Sequence, residues 1–334
     1  MNTQGFHRTG DLCLQYGGVL EQATIGWQSF GQLNGARDNA VVLFSYYTGT
    51  HQSYYPLIGP GRALDPARWY IVLINMFGNG VSTSPSNSLT QPGSRFPPVT
   101  LIDNINAQYS LLIETLGVEK IALASGWSMG AMQAWHWAAA WPDRVQNLLA
   151  VCGSARCWPL NQVFLDGVKS ALQADPLWQN GRYTQPPLQG LDAFGRCYAG
   201  WAYSAQFFRE RLWRKLGFDS QQALLDDWAR DHQRWDANDL LAMLFSWQQA
   251  NIAELPAYRG DFNAALAAIT ARTMVMPCNT DRYFTLEEGE IECEQLRHGE
   301  FRPIISPFGH CAGAPGRFVD ETAQIEQAMR DLLE

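Results

Sequence analysis

The chain has 334 residues, 46% hydrophobic and 17% charged, with a formal net charge of -8. That apolar content supports a large core and excludes a disordered chain, while the acidic balance leaves no basic patch for a nucleic-acid partner. No stretch approaches about 18 uncharged apolar residues, so no membrane partner is expected, and the lack of an apolar leader argues for a cytoplasmic location.

Two short, β-branched apolar runs, residues 39–45 and 69–75, read as strands covered on both faces. Residues 101–116 read as a helix, with Ile102, Ile105, Tyr109, Leu112, Ile113 and Leu116 on one face and Gly117 closing it. Residues 120–125 are the next strand and 129–141 the next helix, stopped by Pro142. This alternation predicts an α/β fold, a mostly parallel sheet flanked by helices. Between residues 157 and 261 the strand pattern fades, and tryptophans recur within helical periodicity. This stretch is expected to be a helical lid inserted into a core made of residues 1–156 and 262–334. The α/β pattern returns with strands at 272–278 and 302–306 and a closing helix at 320–333. The 7 cysteines are odd in number and form no CxxC pair, so reduced thiols are expected and no metal site.

Gly126-Trp127-Ser128-Met129-Gly130 is a G-x-S-x-G sequence set between a predicted strand and a predicted helix, the context of a nucleophile elbow. So tight a turn needs small flanking residues, and it lifts the serine hydroxyl above the sheet at the positive end of the helix. A serine hydroxyl needs a base, and the elbow's chain order is serine, then acid, then histidine. Asp281 follows the predicted strand 272–278, and His310 follows the last predicted strand. Both fall in loops at carboxyl ends of parallel strands, where open α/β sheets bind ligands. In this reading His310 takes the Ser128 proton and Asp281 holds the imidazole. Asp261 and Glu288 are the alternative acids along the chain. His136 packs or faces water, His7 and His298 lie in polar segments, and His232 is placed to contact substrate from the helical stretch. The oxyanion needs two N–H donors: the main chain of Met129 and, from the loop after the first predicted strand, that of Tyr47.

Further segments carry a resemblance. They are Ile58-Gly59-Pro60-Gly61-Arg62-Ala63-Leu64-Asp65, Asn75-Met76-Phe77-Gly78-Asn79-Gly80 with Ser82-Thr83-Ser84-Pro85, and Phe96-Pro97-Pro98-Val99-Thr100. Ser128-Met129-Gly130-Ala131-Met132-Gln133, Trp235-Asp236-Ala237-Asn238 and Gly309-His310 complete them. Their order and spacing resemble the homoserine O-acetyltransferase family of α/β-hydrolase-fold proteins. The resemblance implies that fold, a helical lid, an acyl-serine ping-pong mechanism on Ser128, Asp281 and His310, and a homodimer. Two positions depart from the family. Trp127 stands where a second glycine is usual, and Cys311 stands where an aspartate is implied to hold the amino group of homoserine. Arg196 matches, with one residue inserted upstream, the lid arginine implied to meet the homoserine carboxylate. Trp127 and Arg196 are thus the substrate-binding candidates. A buried ammonium needs a paired anion, which a thiol replaces poorly. The expected function is therefore a serine hydrolase that cleaves a small carboxylic ester, amide or thioester. An acyltransferase with acetyl-CoA as donor is the alternative, and a catalytically idle binding module the third. With no GxxxxGK[ST] or GxGxxG pattern, no nucleotide cofactor is expected.

Overall fold

The computed structural model describes residues 2–334. Its strands are β1 (Asn2–Cys13), β2 (Val19–Phe30), β3 (Ala40–Phe44), β4 (Tyr70–Ile74), β5 (Ile121–Trp127), β6 (Asn147–Val151), β7 (Arg272–Met276) and β8 (Gly299–Phe301). They form one sheet in the order β1-β2-β4-β3-β5-β6-β7-β8. From β4 to β8 all neighbours run parallel, whereas β2 pairs antiparallel with both β1 and β4. Every residue of β3 and β4 is buried, as their unbroken apolar runs foretold. Side chains alternate across the sheet. Val41, Leu43, Ile71 and Leu73 pack towards the insertion, while Val42, Phe44, Val72 and Ile74 pack on the opposite face with Trp135 and Trp137.

The helices flanking the sheet are α1 (Leu101–Tyr109) and α2 (Met129–Ala140). The insertion holds α3 (Pro159–Gln173), α4 (Leu188–Ala202), α5 (Ala205–Arg209), α6 (Gln221–Gln233) and α7 (Ala237–Gln248). After it come α8 (Phe262–Ala267), α9 (Leu286–Glu294) and α10 (Val319–Leu333). The helix expected over 101–116 is α-helical only to Tyr109. It continues as a π-helical turn, Ser110–Thr115, and Gly117 stops it at φ 71°. The strand expected at 302–306 is a correction. Pairing in β8 ends at Phe301, and Ile304 makes only an isolated bridge with Cys278. Pro303 has no N–H to donate, and Ile305 turns its side chain to solvent. No helix among the described residues is long and apolar enough to cross a membrane.

The insertion leaves and rejoins the core through adjacent chain segments. Cys157 N–H donates to Ala250 O at 2.7 Å, and Ile252 N–H to Ala155 O at 3.1 Å. Glu292, fully buried on α9, anchors the departing segment. Its carboxyl accepts from Ala155 N–H at 3.1 Å and from Trp158 Nε1 at 2.8 Å. Desolvation pushes its pKa up to about 8. Between the ordinary glutamate range and that value the folded protein holds a proton that the unfolded chain has released, so this group's contribution to stability falls as pH rises. Glu292→Gln removes that dependence. Its thermal midpoint is expected to gain on the wild type steadily from pH 5 to pH 8. Glu292→Ala, which orphans two donors, is expected to lose about 2–4 kcal/mol. Melting curves across that pH range check both outcomes.

Candidate active site

The residue between β5 and α2 is Ser128, held at φ 59° and ψ -128°. A non-glycine residue there carries about 1–3 kcal/mol of strain and persists only where the surroundings enforce it. They do so through close backbone approach. A Cβ on Gly126 would lie 2.4 Å from the Gly130 carbonyl carbon, and one on Gly130 would lie 2.3 Å from Phe44 O. Ser128 N–H donates to Val151 O at 2.9 Å, pinning the turn to β6, and Ser128 O accepts from Met132 N–H at 3.1 Å. Tyr54 braces the same turn: its hydroxyl donates to Phe44 O at 2.7 Å and accepts from Trp127 N–H at 3.1 Å. Ser128 is 3% exposed.

Asp281 and His310 meet. His310 Nδ1 lies 2.6 Å from Asp281 Oδ2. The other carboxylate oxygen accepts from the main-chain N–H groups of Tyr283 at 3.1 Å and Phe284 at 3.2 Å, so the side chain is fixed by its own turn. A carboxylate at Nδ1 selects the neutral tautomer whose Nε2 carries the lone pair. The imidazole is held between rings. Trp127 lies 5.1 Å away at 28°, Tyr283 at 4.5 Å and Phe284 at 5.4 Å. Trp127 Nε1 also donates to His310 O at 3.2 Å, which ties the residue before Ser128 to the histidine loop. Among the described residues the Ser128 hydroxyl itself makes no hydrogen bond. The alternative acids serve as helix caps: Asp261 accepts from Ala264 N–H at the start of α8, and Glu288 completes the capping box of α9.

The two loops are joined by a polar chain that sequence reasoning did not find. Thr280 Oγ1 donates to Ser306 O at 2.6 Å and accepts from Gly309 N–H at 3.1 Å, while Asn279 Oδ1 accepts from Ser306 N–H at 2.9 Å. Asn279 and Thr280 directly precede Asp281, and that adjacency was the only signal in the sequence.

Met129 opens α2, so its N–H has no intrahelical acceptor. Tyr47 follows β3, and among the described residues its N–H donates to no main-chain acceptor. Its ring is buried and stacks on Tyr198 at 6.0 Å and 7°, and its hydroxyl donates to Leu240 O at 3.3 Å. Trp127 lines a cavity of about 380 Å³ together with Tyr46, Thr48, Trp228, His232 and Cys311. His232 is buried, with Nδ1 2.8 Å from Trp228 O, and desolvation lowers its pKa. His136 lies buried on α2, its pKa lowered by desolvation to about 4, and Nδ1 2.7 Å from Met132 O marks it as packing. Arg196 does not line this cavity. Its guanidinium is held by Asp192 at 2.6 Å and by Asp226 at 2.7 Å, linking α4 to α6. A larger cavity, about 830 Å³, lies against β1 and β2 between Phe6, Arg8 and Leu89 and shares no residue with this cluster.

A family profile described as the alpha/beta hydrolase fold matches residues 39–314. An ethyl acetate hydrolase of Pseudomonas veronii is 34% identical over 333 residues, covering 97% of this chain and 93% of its own. A homoserine O-acetyltransferase of Chloroherpeton thalassium is 30% identical over 316 residues, covering 90% of this chain and 82% of its own. The solved structure of the acetyl esterase MekB superposes with a TM-score of 0.95 at 33% identity, covering 99% of this chain and 96% of that one. The chain therefore belongs to the α/β-hydrolase fold family, in the group that holds acetyl esterases and homoserine O-acetyltransferases.

Proposed function

We propose that the protein hydrolyses short-chain carboxylic esters, acetyl esters foremost, through an acyl-Ser128 intermediate. The observation that carries this reading is the 2.6 Å contact of Asp281 with His310, in a loop tied through Trp127 to a serine held at positive φ. His310 Nε2 takes the proton of Ser128 as Oγ attacks the ester carbonyl. The oxyanion that forms accepts from the N–H groups of Met129 and Tyr47. Collapse breaks the ester C–O bond, and His310 passes its proton to the departing alcohol. A water molecule, deprotonated by His310, then attacks the acyl carbon, releasing the acid and returning the proton to Ser128. Asp281 stabilises the imidazolium in both halves.

The preference for a short acyl group is supported by the packing beside His310. Tyr283 touches Phe164 at 4.6 Å and Trp247 at 5.9 Å, and Trp247 touches Tyr47 at 5.7 Å. These rings are buried and form one continuous wall. Two similar relatives are named for acetyl esters, which favours the same substrate class here. Cys311, buried next to His310, gives no anion to hold an amine, so water is favoured over homoserine as acceptor.

A fluorophosphonate probe is expected to label Ser128 in the wild type and to leave Ser128→Ala unlabelled. Ser128→Ala and His310→Ala are each expected to lower kcat by about 10⁴-fold or more. Turnover by either at near wild-type rates would remove the mechanism. Across p-nitrophenyl esters, kcat/KM is expected to peak at acetate and fall steeply by octanoate; a maximum at long chains would mean that the aromatic wall does not bound the acyl site. With acetyl-CoA and homoserine no O-acetylhomoserine is expected, and its rapid formation would replace hydrolysis by transfer.

A further inference from the structure

Arg317 lies between the His310 loop and α10, and its side chain lines the cavity that Trp127 and Cys311 also line. It is reachable by solvent and has no carboxylate partner among the described residues. The other charged groups of this cavity are paired. Asp227 is engaged by Arg230 at 3.3 Å, and Asp231 by Arg234 at 3.9 Å.

Uncharged neighbours fix Arg317 in place. Nη2 donates to the Tyr203 hydroxyl at 2.7 Å, and Nη1 lies 4.0 Å from Cys311 Sγ. The guanidinium carbon sits 5.8 Å and 5.6 Å from the ring centres of Tyr203 and Phe318. A guanidinium offers a planar fork of N–H donors, and these contacts use only part of it. The remainder matches a planar, bidentate acceptor better than a single neutral oxygen.

Three residues that line the cavity neighbour the proposed reacting groups. Trp127 packs on the His310 ring, Cys311 is the next residue after it, and Thr48 follows Tyr47. A group bound at Arg317 is read as part of the molecule whose ester bond meets Ser128. The volume of about 380 Å³ suits a small ester.

We propose that Arg317 determines substrate specificity by binding a carboxylate carried on the ester, so that carboxylate-bearing esters are preferred over neutral and cationic esters of equal size. The inference rests on the hydrolase reading above and adds a charge class to its substrate. The carboxylate sits on either the alcohol or the acyl portion.

Two matched pairs separate these sources. 3-Acetoxypropanoate against butyl acetate places the charge on the alcohol side, and monoethyl succinate against ethyl pentanoate places it on the acyl side. Acetylcholine against 3,3-dimethylbutyl acetate tests a cation. In one of the first two pairs the wild type is expected to favour the anion by about tenfold or more in kcat/KM. In the third it is expected to favour the neutral ester. Arg317→Gln is expected to bring the anionic-to-neutral ratio near one, and Arg317→Lys to retain part of it. A wild-type ratio near one in both anionic pairs, or a ratio unchanged in Arg317→Gln, overturns the proposal. Calorimetric titration of the same anionic esters into Ser128→Ala reads binding apart from turnover. Neutral esters hydrolysed without anion preference would remove the Arg317 site alone. Anionic esters bound by Ser128→Ala but not hydrolysed by the wild type would remove the hydrolase reading and keep the site.

Discussion

The hydrogen bond from His310 Nδ1 to Asp281 Oδ2 closes two loops that leave the same end of the sheet, one after β7 and one after β8. Its geometry depends on supports at both ends. The Asp281 turn holds the carboxylate through two main-chain donors, and the Thr280 hydroxyl links Ser306 to Gly309. Trp127 then couples the histidine loop to the turn that holds Ser128. The side chains of Asp281 and His310 are thus held by packing and hydrogen bonds in loops that directly follow strands of the sheet.

Sequence reasoning reached the parts that rest on short-range rules. The apolar runs of β3, β4 and β5 have one structural solution in a sheet covered on both faces, and glycines at 126 and 130 announce a turn in which a Cβ would collide with backbone. It missed β1, a polar and largely exposed edge strand, and β2, whose buried residues are interrupted by polar ones and form no apolar run. It also passed over β6, a five-residue apolar run whose pattern alone does not separate strand from buried helix. The choice of Asp281 over Asp261 and Glu288 is spatial. All three are acids in loops after strands or at helix starts, and only the fold shows that two of them are occupied as caps. Arg196 illustrates the same limit, since its carboxylate partners on α4 and α6 are local and only coordinates reveal that they claim it.

Hydrolysis and acyl transfer share their first half, so the difference between them lies in what surrounds the acyl-enzyme rather than in the triad. Here Trp127 and the loop after β7 lay aromatic rings against His310, and Cys311 lies beside a guanidinium. An ammonium beside Cys311 would meet the Arg317 guanidinium, and the two aspartates of the recess are already engaged by arginines.

The insertion's entry and exit run side by side, joined by main-chain hydrogen bonds between residues 155–157 and 250–252. A detour with adjoining ends behaves, for the sheet, like a surface loop of a few residues. β6 and β7 pair parallel in unbroken register across it. Evolution can consequently lengthen, shorten or exchange this module as a cassette, retuning which molecules reach the serine while the scaffold beneath is inherited intact.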